Sequence, residues 1–82
     1  MSDIPASRVQ LIGKPDCHLC DDARTVVQAV CNDMNVAFTE YSILEDPALY
    51  DEYWERIPVV LVDERVLEFW RINPDRLRGA LS

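Results

Sequence analysis

Val9-Gln10-Leu11-Ile12-Gly13-Lys14-Pro15-Asp16-Cys17-His18-Leu19-Cys20-Asp21-Asp22-Ala23 runs from a short apolar segment, through a Cys-x-x-Cys pair, into an amphipathic stretch. Arg8 to Ile12 reads as a strand that ends at Gly13. Beyond the pair, Ala23, Val26, Val27, Val30, Cys31 and Met34 recur at spacings of three and four, which predicts a helix from about Cys20 to Asp33 with one apolar face. The two cysteines therefore sit at a strand-to-helix junction. There the sulfur of Cys17 can meet the unpaired N–H groups of the helix start, and the helix dipole favours a thiolate. Cys20 lies one turn on, within reach of a disulfide without backbone movement.

Val36 to Ser42 alternates in the manner of a second strand. Asp46 followed by Pro47 is a helix-start pair, with an N-capping carboxylate and a proline at the first helical position. That helix carries Leu49, Tyr50, Tyr53 and Trp54 and is expected to stop near Arg56, because Ile57 precedes Pro58. Val59 to Val62 is apolar throughout, as a strand buried on both faces should be. Asp63-Glu64-Arg65 connects it to Val66–Trp70, an antiparallel partner, and the turn has no glycine. Asn73-Pro74 repeats the capping device and opens a last helix whose Leu77, Ala80 and Leu81 face inward. The order is βαβαββα. With the first two strands parallel and the last two in a hairpin, this is an α/β fold: a four-stranded mixed sheet flanked by three helices, one domain spanning residues 1–82.

Composition narrows the function. The chain has 82 residues, 49% of them hydrophobic and only two glycines, which suits a packed domain and not a disordered segment. A net charge of −7 argues against nucleic acid. No apolar run approaches the roughly 20 residues that span a bilayer. Met1-Ser2-Asp3-Ile4-Pro5 has no basic segment followed by an apolar one, so no secretory leader is expected and the location is read as cytoplasmic. The odd count of three cysteines suits a reducing compartment better than a stapled secreted domain.

A Cys-x-x-Cys pair is also half of many zinc sites, and His18 adds a potential ligand. Cys31, however, lies about 16 Å from Cys20 along the same helix at 1.5 Å per residue, so it cannot complete a site, and no metal is assigned. Cys31 reads as a small buried hydrophobe. The redox reading uses more of the pattern. Cys17 is the nucleophile and Cys20 the resolving thiol. Lys14 and the helix dipole favour the Cys17 thiolate, and Asp16, Asp21 and Asp22 oppose it. His18 is a modulating residue between the sulfurs. Trp54 and Trp70 read as packing residues, with a partner groove the second reading for Trp70. A non-catalytic adaptor that kept the dithiol stays open on the residues. So does metal handling, with zinc or an iron–sulfur cluster shared between two chains.

Lys14-Pro15-Asp16-Cys17-His18-Leu19-Cys20 followed by Asp21 and Ala23, then Arg56-Ile57-Pro58-Val59, a hairpin and a closing helix, resembles the thioredoxin fold in its small form. Specifically, it resembles the short bacterial glutaredoxin-like proteins. The resemblance covers almost the whole chain and implies a thioredoxin-like sheet and thiol–disulfide oxidoreductase activity on protein or glutathione mixed disulfides. It also implies a Cys17/Cys20 active dithiol and a cis Ile57–Pro58 bond, with the Ile57 backbone pairing with the substrate. Lys14 becomes a candidate for a glutathione carboxylate. No cofactor is implied beyond glutathione as co-substrate, and a monomer is expected. The chain has His18-Leu19 where glutaredoxins usually carry Pro-Tyr. It has Trp70-Arg71-Ile72-Asn73-Pro74 where they usually have Gly-Gly followed by Asp. The electron donor implied is therefore glutathione or a flavoprotein reductase.

Overall fold

In a computed structural model, residues 8–82 are described; Met1-Ser2-Asp3-Ile4-Pro5, on which the absence of a leader was read, lies outside the described residues. The elements are β1 (Val9–Gly13), α1 (His18–Met34), β2 (Phe38–Ser42), α2 (Pro47–Tyr53), β3 (Val59–Val62), β4 (Arg65–Phe69) and α3 (Pro74–Leu81). The sheet order is β2-β1-β3-β4. β1 and β2 are parallel, and β3 runs antiparallel to both β1 and β4. This is the mixed βαβαββα sheet of the thioredoxin-like fold.

The uninterrupted apolar run of β3 is explained by its place inside the sheet. Val60 and Val62 face one side, where they join Val9 and Leu11 of β1, Val27 and Val30 of α1, and Leu77 and Leu81 of α3. Val59 and Leu61 face the other side with Ile12 and Ile43, against Leu49, Tyr53 and Ile57. α1 and α3 thus share one face and touch each other, while α2 covers the second. The two layers are unequal, since α2 has no fully buried residue.

The element ends follow local chemistry. Asp46 Oδ1 accepts from the Ala48 N–H at 2.9 Å, and Asn73 Oδ1 accepts from Asp75 and Arg76, at 2.8 and 3.3 Å. α1 ends on Asn35 in the left-handed region (φ 58°, ψ 44°), and the Val36 N–H reaches back to the Cys31 carbonyl at 2.8 Å. α2 stops at Tyr53 rather than near Arg56, because the chain tightens into a turn in which the Arg56 N–H donates to the Tyr53 carbonyl at 2.7 Å. Across the β1–α1–β2 unit, Arg24 clamps Glu40 (2.7–3.0 Å) and Asp21 (2.9 Å).

The β3–β4 turn is tighter than the expected three residues. Asp63 (φ 52°) and Glu64 (φ 68°) alone reverse the chain, and Arg65 already pairs with Val62. Two successive positive φ values match the twist of a two-residue hairpin. Trp70, expected as the last residue of β4, lies beyond it in the left-handed region (φ 68°). No helix among the described residues is long and apolar enough to cross a membrane.

Candidate functional site

The dithiol is built by the start of α1. Cys17 has extended backbone angles (φ −117°, ψ 115°) and is the N-cap. Its Sγ accepts a hydrogen bond from the Cys20 N–H at 3.3 Å, so the sulfur occupies the place a serine or aspartate oxygen would take. The helix therefore starts at His18, two residues before the expected Cys20, because the capping sulfur satisfies a first-turn donor. Cys17 is half-buried, and His18 and Leu19 are exposed beside it.

Cys20 is a different thiol. It is 1% exposed and its pKa is pushed up to about 11. The largest cause is burial, which disfavours the thiolate. The hydrogen bond that the protonated group shares with Cys17 comes next, and the charges of Cys17 and Asp21 add to it. The backbone N–H of Lys14 acts in the opposite direction by donating to the sulfur. Gly13 makes the room, since a Cβ at that position would stand 2.9 Å from Cys20 Sγ and 3.2 Å from its Cβ. One sulfur is thus accessible at a helix start, and the other is held protonated behind it.

The third component arrives through the sheet. The Ile57–Pro58 peptide bond is cis, as the resemblance implies. Pro58 is buried and lies one residue beyond the Ile12–Val59 pair, level with Gly13, and hence at the end of the sheet where Cys20 packs. Its carbonyl accepts from the Trp70 N–H at 2.8 Å. The Trp70 indole Nε1 donates to the Glu55 carbonyl at 3.0 Å, and Phe69 meets the indole edge-on at 5.0 Å. Trp70 also lines a cleft of about 310 Å³, together with the exposed Leu19 and with Ala23, Val26 and Ile72, which are buried or half-buried.

The structure gathers Cys17, Cys20 and the Lys14 backbone, with Pro58 at the same sheet end. Ile57 is half-buried, and its side chain packs under α2 with Ile12 and Val59. The Lys14 side chain lines a separate depression with Arg24 and Glu40. Cys31 is buried in the core with Val9 and Val27, and burial raises its pKa. No three His, Cys, Asp or Glu side chains among the described residues are grouped as a metal-ligand set. Two residues escaped the sequence reading. Gly13 was seen only as a strand end, although its place directly before a Cys-x-x-Cys loop was the available signal. Arg71, which lines the Leu19–Trp70 cleft with Asp22, enters the sequence reading only within the segment that stands in place of Gly-Gly.

Comparison with known proteins agrees with the fold. The solved structure of protein XcR50 from X. campestris is 34% identical over 89% of this chain and 93% of its own, with a TM-score of 0.73. Protein Ne2328 from Nitrosomonas europaea is 20% identical over 100% and 99%, with a TM-score of 0.77. The glutaredoxin grx-1 from Archaeoglobus fulgidus shares the fold at 14% identity and a TM-score of 0.64, over 94% and 88%. A search of curated proteins gives no match. The family model for the glutaredoxin-like domain (DUF836) matches residues 8–82, and the chain belongs to that family.

Proposed function

We propose that the protein is a thiol–disulfide oxidoreductase that reduces protein or glutathione mixed disulfides through Cys17 and Cys20. The observation that carries this reading is the contrast between the two sulfurs. Cys17 caps a helix start and is accessible, whereas Cys20 is buried one turn on and held as a thiol. In the first step the Cys17 thiolate attacks a substrate disulfide, forms a mixed disulfide and expels one substrate thiolate, which takes a proton from solvent. Cys20 then gives its proton to solvent and attacks Cys17 Sγ. The Cys17–Cys20 disulfide forms, and the second substrate thiolate leaves. Two electrons from an external thiol donor, glutathione or a flavoprotein reductase, restore the dithiol.

In this scheme Pro58 and the Ile57 backbone orient the substrate, Lys14 offers a cation to a substrate carboxylate, and His18 modulates the dithiol from the first position of the helix. The protein acts as a cytoplasmic monomer and carries no resident cofactor. The test is reduction of insulin and of a glutathione mixed disulfide by wild type, Cys17→Ser and Cys20→Ser. Activity should vanish in the first variant, and the second should trap a mixed disulfide on Cys17. Full activity in Cys17→Ser overturns the mechanism. A wild type that reduces neither substrate leaves an adaptor domain with a vestigial dithiol.

A further inference from the structure

The cleft between Leu19 and Trp70 reaches the dithiol loop through Leu19. Both are large apolar side chains left open to solvent, Leu19 42% and Trp70 54% exposed. Leu19 lies between the two cysteines and is part of the dithiol loop itself. Trp70 is held still at several points. The backbone N–H of Trp70 is tied to Pro58 O (2.8 Å), its Nε1 to Glu55 O (3.0 Å), and its ring rests on the edge of Phe69. Trp70 also holds a left-handed backbone (φ 68°), a conformation that a bulky residue adopts only when its surroundings impose it. An exposed tryptophan fixed in this way loses little freedom when something packs on it, which is the property of an anchor at a binding surface.

The size and charge of the cleft narrow the occupant. At about 310 Å³ it stands at the lower end of small-molecule pockets, which suits one side chain better than a cofactor. The lining by Ala23, Val26 and Ile72 is apolar. Asp22 and Arg71 at its border bring one charge of each sign, so the cleft has no net charge with which to select an ion.

We propose that this cleft is a specificity subsite that accepts a bulky apolar side chain, leucine or phenylalanine, flanking the disulfide-bonded cysteine of a polypeptide substrate. Trp70 and Val26 line it. The inference rests on the oxidoreductase reading above and adds the substrate class: segments that place a large hydrophobe close to their disulfide, over small thiols and polar segments. Burial of one such side chain gives the preference, so its size should be about tenfold or more in kcat/KM.

The experiment uses short synthetic peptides in which one cysteine is linked to a chromophoric thiol, differing only in a neighbouring Leu, Phe, Ser, Asp or Lys. For wild type the Leu and Phe peptides should be reduced with a kcat/KM at least about tenfold above the Ser peptide. In Trp70→Gly, where the backbone conformation is easily kept, the Leu/Ser ratio should fall towards one. Val26→Thr, which keeps the shape of the side chain and adds a hydroxyl, should lower the ratio by a smaller factor. Each ratio compares two peptides on one protein preparation, so a shared loss of folded protein or of intrinsic rate cancels. Equal rates on all peptides in wild type overturn the inference, as does a preference for Asp or Lys, or a ratio that neither substitution moves. If wild type reduces none of the peptides and no small disulfide such as bis(2-hydroxyethyl) disulfide, the oxidoreductase reading itself fails. Reduction of the small disulfide without peptide discrimination leaves that reading standing and removes only the subsite.

Discussion

Gly13 Cα faces the Cys20 sulfur so closely that a Cβ on Gly13 would lie 2.9 Å from Sγ and 3.2 Å from the cysteine Cβ. The φ of Gly13 is not positive, so alanine is compatible with the backbone, and substitution tests space alone. The neighbour is a short, buried side chain near the Pro58 end of the sheet, with little freedom to swing away. Gly13→Ala should therefore overpack the junction and lower stability by about 1–3 kcal/mol, seen as a lower urea midpoint at unchanged slope. It should also change the reduction potential of the proposed Cys17–Cys20 couple, because the sulfur that moves would be a member of it. An unchanged midpoint and potential would show that Cys20 has room the structure does not provide.

Cys20 also makes stability depend on pH. Burial raises its folded pKa to about 11, above the value of about 8.5 for a free thiol in an unfolded chain. Between these values the unfolded chain has already released the proton that the native state keeps. This contribution is therefore fully present below about pH 8.5 and is lost as pH rises towards 11. Burial raises Cys31 as well, so it adds to the slope in the same direction. Urea unfolding of the reduced protein at about pH 7.5 and about pH 10.5 should show a larger loss for wild type than for Cys20→Ser. Equal losses in the two proteins would contradict the burial of this thiol.

The two faces of the sheet should not be equally costly to damage. Leu77 is 0% exposed in the core shared by β1, α1, β3 and α3, whereas Leu49 is only half-buried on α2, a helix with no fully buried residue. Leu77→Ala should cost about 2–5 kcal/mol, a large part of the 5–15 kcal/mol that holds a domain together. Leu49→Ala should cost clearly less than Leu77→Ala. Native-state hydrogen exchange should find the amides of α2 opening before those of β3. Comparable losses for the two substitutions would mean that α2 is as well anchored as α3.

Much of this architecture is written locally. Asp46-Pro47 and Asn73-Pro74 announce helix starts because capping involves residues two or three apart, and the structure finds those hydrogen bonds at 2.8–3.3 Å. The apolar run Val59–Val62 announces a central strand for the same reason, since both of its faces are buried. The dithiol also shows itself, as Cys17 caps the helix that Cys20 belongs to. What stays hidden comes from tertiary contacts. The proximity of Gly13 to Cys20 depends on how α1 returns over the end of β1. The cleft brings Leu19 to Trp70, far apart in the chain, and Trp70 is itself held by its N–H on the Pro58 carbonyl. Left-handed Trp70 ends β4 one residue early against all propensity, which is where surrounding structure overrides local preference.

The hairpin turn gives the sharpest case of such an override and a direct way to measure it. Asp63 tolerates φ 52° as aspartates do, and it is also engaged by Arg8, which donates to its two carboxylate oxygens at 3.0 and 3.1 Å. Glu64 has no such local advantage at φ 68°. The left-handed conformation costs a residue with a Cβ about 1–2 kcal/mol, and glycine returns part of that gain through the greater freedom of the unfolded chain. Glu64→Gly creates the Asp-Gly pair that two-residue hairpins favour and should stabilise by about 0.5–1 kcal/mol, a rise in Tm of roughly 2–8 °C for a domain of this size. Glu64→Val should lower Tm, because a β-branched residue is poorly suited to positive φ. A Glu64→Gly protein that melts at or below the wild-type temperature would mean that the turn does not place residue 64 in the left-handed region.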